Sequence, residues 1–123
     1  MLVPSLLRQR ARGTRIGFFL HIPWPSSDVF RILPSRAEIL AGLMGADLIG
    51  FHTDNDRQNF IHSAAEVLGV DYGTSSLRWQ NREVQLGVYP IGIDVPSFTK
   101  QSEHIEALTA QIRNETRGKR IVL

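Results

Sequence analysis

His21 follows the short apolar run Ile16-Gly-Phe-Phe-Leu20 and is followed by Ile-Pro-Trp-Pro25. A neutral imidazole at such a place can hydrogen-bond a sugar hydroxyl or a phosphate oxygen. Pro23 and Pro25 stiffen the stretch behind it, so its shape is held before any ligand arrives. The plainer alternative is a histidine that only satisfies backbone groups at a strand end. His52 follows a second apolar run, Leu48–Phe51, but Thr53 or Asp54 beside it already accounts for that spot as a helix cap. His62 and His104 fall inside helical patterns and read as surface or packing residues. Asp54 and Asp56 flank a helix start, where complementing the helix dipole explains them better than paired-carboxylate chemistry. Trp24 and Trp79 could stack on a sugar ring, although a buried aromatic is the default. The histidines are too dispersed to make a short ligand pair with a carboxylate, so no metal is expected. No glycine-rich phosphate loop, Walker sequence or Gly-x-Ser-x-Gly elbow is present.

These residues need elements to position them. Pro4 suits a first helical turn, Leu6 and Leu7 give that helix an apolar edge, and Gly13 can stop it. Ile16–Leu20 and Asp47–Phe51 read as short strands buried on both faces, as in a parallel sheet. Between them, Ser35 and Glu38 read as a capping box for a helix with Ile39, Leu40, Leu43 and Met44 on its inner face, closed by Gly45. The next helix presents Phe60, Ile61, Ala64, Ala65 and Leu68 inward and stops at Gly69. Leu77–Trp79 and Glu83–Tyr89 flank Gln80-Asn81-Arg82 and read as a hairpin or as a loop feeding a core strand. Residues 90–96 read as an irregular linker. A polar helix over 97–116 follows, with Ile105, Leu108 and Ile112 at helical spacing, and then a strand begins at Lys119. This alternation predicts an α/β fold with a doubly wound sheet. Ligands of such sheets bind beyond the carboxyl ends of the strands, which is where His21 and His52 stand.

The bulk composition agrees with a globular domain. Of the 123 residues, 42% are hydrophobic and 21% charged, and the formal net charge is +2. No broad electrostatic attraction to nucleic acid follows from so small a charge. There is no cysteine, which excludes disulfides and fits a cytoplasmic location. No apolar run is long enough to span a membrane. The sequence opens nearly inside a helix and closes as a strand begins, so a piece of a longer protein is expected.

The segment Gly17-Phe-Phe-Leu-His-Ile-Pro-Trp-Pro-Ser-Ser-Asp-Val-Phe30 resembles the central motif of trehalose-6-phosphate synthases, the retaining family-20 glycosyltransferases. Three further stretches agree in order and spacing: Leu33-Pro-Ser-Arg-Ala-Glu-Ile-Leu-Ala-Gly-Leu43, Gly45-Ala-Asp-Leu-Ile-Gly-Phe-His-Thr-Asp-Asn55 and Val88-Tyr-Pro-Ile-Gly-Ile-Asp94. The resemblance implies a Rossmann-like part of a GT-B fold. Residues 1–95 would be the later part of the N-terminal domain, and residues 96–123 a linker helix and the first strand of the C-terminal domain. It implies transfer of glucose from UDP-glucose to glucose 6-phosphate with retention, releasing UDP. No metal or other cofactor is implied, nor a nucleic-acid or membrane partner, and a homo-oligomer is left open. His21 matches the family's active-site histidine beside the donor glucose, and Ile22 continues the loop that lines the sugar pocket. The family's phosphate-binding loop would precede Met1, and the arginine and lysine that hold the donor diphosphate would follow Leu123. The chain alone is therefore expected to be inactive. Related acceptors, as in glucosylglycerol-phosphate synthases or pseudo-glycosyltransferases, and a non-catalytic regulatory homologue remain open alternatives.

Overall fold

A computed structural model of the chain describes residues 1–11, 13–96, 105, 108–112 and 114. The contacts divide the chain into two compact units, Met1–Ile91 and Gly92–Leu123. The first unit opens with helix α1 (Val3–Arg10), strand β1 (Gly17–Phe19) and helices α2 (Ser27–Phe30) and α3 (Arg36–Leu43). It continues with β2 (Leu48–Phe51), α4 (Asp54–Leu68), β3 (Asp71–Tyr72), β4 (Ser76–Trp79) and β5 (Arg82–Val88). The strands form one five-stranded sheet in the order β1-β2-β5-β4-β3. β1, β2 and β5 are parallel, whereas β4 and β3 add on antiparallel. The α/β class is therefore as expected, with the parallel pairing confined to three strands and a hairpin extension beyond them. The hairpin itself dictates that extension, because a tight turn can join only antiparallel neighbours.

The core gathers Leu40, Leu43 and Met44 from α3 and its end, Ile49 and Phe51 from β2, Phe60, Ile61 and Ala64 from α4, and Leu77, Val84 and Leu86 from the hairpin. α4 packs on β2, β5 and β3, and α3 packs between α1 and α4. The predicted inner face of α4 is thus the observed one, with Ala65 and Leu68 half-buried at its margin. β2 is buried as expected, but β1 is not buried on both faces. Gly17 is exposed and Phe18 and Phe19 are half-buried, because β1 is an edge strand of this sheet. On α1 the buried residue is Pro4, while Leu6 and Leu7 stay exposed.

Helix ends follow local chemistry in one case and depart from it in another. Thr53 caps α4 by accepting from the Asp56 N–H, and Gly69 closes it at φ 63° in the left-handed region. Ser35 makes no side-chain cap, so the expected capping box at α3 does not form. The hairpin turns at Gln80 and Asn81, both at positive φ, and Arg82 belongs to β5 opposite Trp79. That is the primed two-residue turn that matches strand twist. Of the predicted helix over 97–116, residues 105, 108–112 and 114 are helical, and the rest lies outside the described residues, as does the strand expected from Lys119.

Candidate functional site

The parallel ladder builds the site. Phe19 stands opposite Gly50, and Gly50 stands opposite Gly87. Leu20 N–H donates to the Gly50 carbonyl at 2.9 Å and Tyr89 N–H to the Phe51 carbonyl at 2.8 Å, so the pairing runs past the formal strand ends. Two residues beyond Phe19, Gly50 and Gly87 are His21, His52 and Tyr89. Side chains alternate faces along a strand, so these three share a face with Phe19 and form the next cross-strand row.

Glycines make the row possible. A Cβ on Gly50 would come within 2.6 Å of the Phe19 ring, and one on Gly87 within 2.4 Å of the Tyr89 ring. Both rings therefore lie over bare backbone. From that position the Phe19 ring centre is 4.7 Å from that of His21, 4.8 Å from His52 and 6.4 Å from Tyr89, and the two imidazoles are 5.4 Å apart. His21 is exposed and His52 is half-buried, with its Nδ1 sealed from solvent and without a protein hydrogen-bond partner.

The loop after His21 is pinned by α4. Trp24 is 3% exposed, packed at 4.6 Å from Phe30 and 4.9 Å from Phe60. Its backbone N–H donates to Asp56 Oδ1 (3.0 Å), its indole Nε1 donates to Ser63 Oγ (3.1 Å), and its carbonyl accepts from Asn59 Nδ2 (3.2 Å). Trp24 is thus the anchoring aromatic of the default reading, not a sugar platform. Asp56 also accepts from Thr53 Oγ1 at 2.6 Å, so the carboxylate ties the loop to the helix start. Ile22, between His21 and the anchor, is 60% exposed. His62 is exposed as expected, and His104 lies outside the described residues.

The opposite edge of the parallel strands is structural. Asp47, just before β2, accepts from the Ile16 N–H at 2.8 Å, from Arg8, and from Arg82 at 2.9 Å. Partial burial pushes its carboxyl up, but the Ile16 N–H and the two guanidinium groups outweigh that and hold it below the ordinary carboxylate value. A cleft of about 200 Å³ beside it, lined by residues such as Arg8, Met44 and Arg82, lies away from the histidine row. Among the described residues no three His, Cys, Asp or Glu groups converge as metal ligands, and no helix is long and apolar enough to cross a membrane.

Sequence reasoning identified His21 as the candidate and discounted His52. It missed Tyr89 altogether, although three of the matched stretches each end or pass through the end of one parallel strand. The usable signal was the spacing Phe19-x-His21, Gly50-x-His52 and Gly87-x-Tyr89, which needs the strand register before it means anything.

The whole chain, residues 1–123, matches the profile of Glycosyltransferase family 20. It is 42% identical over 114 residues to an alpha,alpha-trehalose-phosphate synthase [UDP-forming] A of Dictyostelium discoideum, covering 93% of this chain and 15% of that protein. It is similar in structure to the N-terminal domain of a Candida albicans trehalose-6-phosphate phosphatase, with TM-score 0.80 and 35% identity over 97% of this chain and 27% of that one. It is also similar to an Escherichia coli trehalose-6-phosphate protein bound with UDP-2-fluoro glucose, with TM-score 0.75 and 34% identity over 90% of this chain and 26% of that one. The chain thus spans between about one seventh and about one quarter of the length of these relatives. On the match over its full length, the chain belongs to glycosyltransferase family 20.

Proposed function

We propose that the protein carrying this segment transfers glucose from UDP-glucose to glucose 6-phosphate with retention at the anomeric carbon, forming trehalose 6-phosphate and UDP in the cytoplasm. The observation that carries the reading is His21 itself, an exposed imidazole at the carboxyl end of β1, between a ring layer beneath it and a loop anchored at Trp24. His21 hydrogen-bonds a hydroxyl of the donor glucose next to the reacting carbon, and the adjoining Ile22 backbone lines the same pocket. The relative bound with UDP-2-fluoro glucose supports a nucleotide-sugar donor. A group preset around developing charge needs no reorganisation during the reaction, which is why a held imidazole serves better than a mobile one.

The segment supplies one wall of that pocket and is inactive alone. In the complete protein, His21→Ala should lower the turnover of UDP-glucose by about 10²-fold, the scale for one preset polar contact. A turnover number equal to wild type would remove His21 from the site. A panel of acceptors in the same assay decides between glucose 6-phosphate and a related acceptor. The likeness to a domain of a trehalose-6-phosphate phosphatase favours a second reading, in which the fold is kept as a non-catalytic domain. Absence of any UDP release with every acceptor would support that one instead.

A further inference from the structure

His52 occupies on β2 the place that His21 occupies on β1, two residues past a register pair. The two rings are tilted by 59° with centres 5.4 Å apart. An imidazole nitrogen lies about 1.2 Å from its ring centre, so a pair joined by one N–H···N bond of about 3 Å has centres roughly 5 Å apart. The rings therefore stand at hydrogen-bonding separation, and His52 Nδ1 has no other hydrogen-bond partner. Phe19 touches both and limits how far either can turn away. A ring present only for packing gains nothing from a nitrogen sealed from water, and the sealed atom is His52 Nδ1.

Resting on the reading of His21 as a wall of the sugar pocket, we infer that His52 is its positioning residue. His52 Nδ1 accepts a hydrogen bond from the nearer ring N–H of His21. That bond fixes the neutral tautomer of His21 and leaves its far nitrogen as an acceptor for a donor-sugar hydroxyl. Orientation of one working side chain by another, through the nitrogen not in use, is how an imidazole is commonly held to one tautomer. No bond other than hydrogen bonds forms or breaks.

The test uses the complete protein with histidine side chains labelled with ¹⁵N. Wild type should show His21 as one dominant neutral tautomer, and His52→Phe should show it as a mixture. His52→Phe, which keeps a ring but no acceptor, should lower kcat for UDP-glucose by about tenfold, the scale of one net hydrogen bond, with KM changed less than about threefold. His52→Asn places a carbonyl oxygen near the Nδ1 position and should restore most of the lost turnover. Thermal midpoints of both variants should stay at or above wild type, which separates this effect from loss of fold. A mixed His21 tautomer in wild type, or a His52→Phe variant with wild-type kcat, overturns the inference. If wild type releases no UDP with any acceptor, the proposed function fails instead, and the tautomer measurement on wild type alone still decides the pairing.

Discussion

Phe19 and Tyr89 can lie over the sheet backbone only because Gly50 and Gly87 carry no side chains. The two glycines should not be equally sensitive. A methyl at Gly50 meets Phe19, which is half-buried and wedged against both imidazoles. A methyl at Gly87 meets Tyr89, which is 50% exposed and free to swing outward. Gly50→Ala is therefore expected to destabilise by about 1–3 kcal/mol, the range for overpacking, and Gly87→Ala by clearly less. Urea midpoints of the two variants test this, and equal losses would mean that the rings do not rest as described. At this scale His21 was legible from type and position: an imidazole directly after an apolar run and before two prolines. Tyr89 was not, since its meaning comes from neighbours more than thirty positions away in sequence, across a register that no local pattern specifies.

Elements were legible wherever their signals are local. Thr53 caps α4 because its extended backbone, at φ −128° and ψ 157°, aims the hydroxyl at the Asp56 N–H. Thr53→Ala should cost about 1 kcal/mol in a denaturation measurement. The loss should also reach the loop at Trp24, because the Thr53 hydroxyl donates to the carboxylate that receives the Trp24 N–H. Ser35 shows how the same residue signal fails. Its backbone sits at φ −90° and ψ 20°, outside the extended region from which a cap side chain reaches back. Ser35 is the third residue of a tight turn closed by the Arg36 N–H to Leu33 carbonyl bond at 3.3 Å, and that turn sets its conformation. β3 escaped notice because two residues, Asp71 and Tyr72, are too few to show any period. α2 escaped for the same reason, as one turn of four residues wedged behind the proline loop.

Over the whole of the first unit, Asp47 joins the start of β2 to α1 through Arg8, to the residue before β1 through Ile16, and to β5 through Arg82. Its carboxyl titrates below the ordinary value, so folding favours the ionised form. The resulting stability is fully present above the ordinary carboxylate range near about pH 4 and is lost as pH falls through the lower native value. Asp47→Asn should therefore lower the urea midpoint at neutral pH, and the gap to wild type should narrow as the solution is acidified below about pH 4. A gap independent of pH would show that packing, not charge, carries the contribution. The parallel β1-β2-β5 core was foreseeable from the apolar runs and the helices between them, while the antiparallel edge rested on a hairpin whose place in the sheet only the completed fold decides. The anchoring of Trp24 has a practical consequence. The residues that hold the His21 loop are Asp56, Asn59 and Ser63, one face of a helix more than thirty residues downstream. Moving residues 21–26 into another protein would transplant the letters without the grip, so any portable unit that keeps His21 in place must include at least the stretch from β1 to the end of α4.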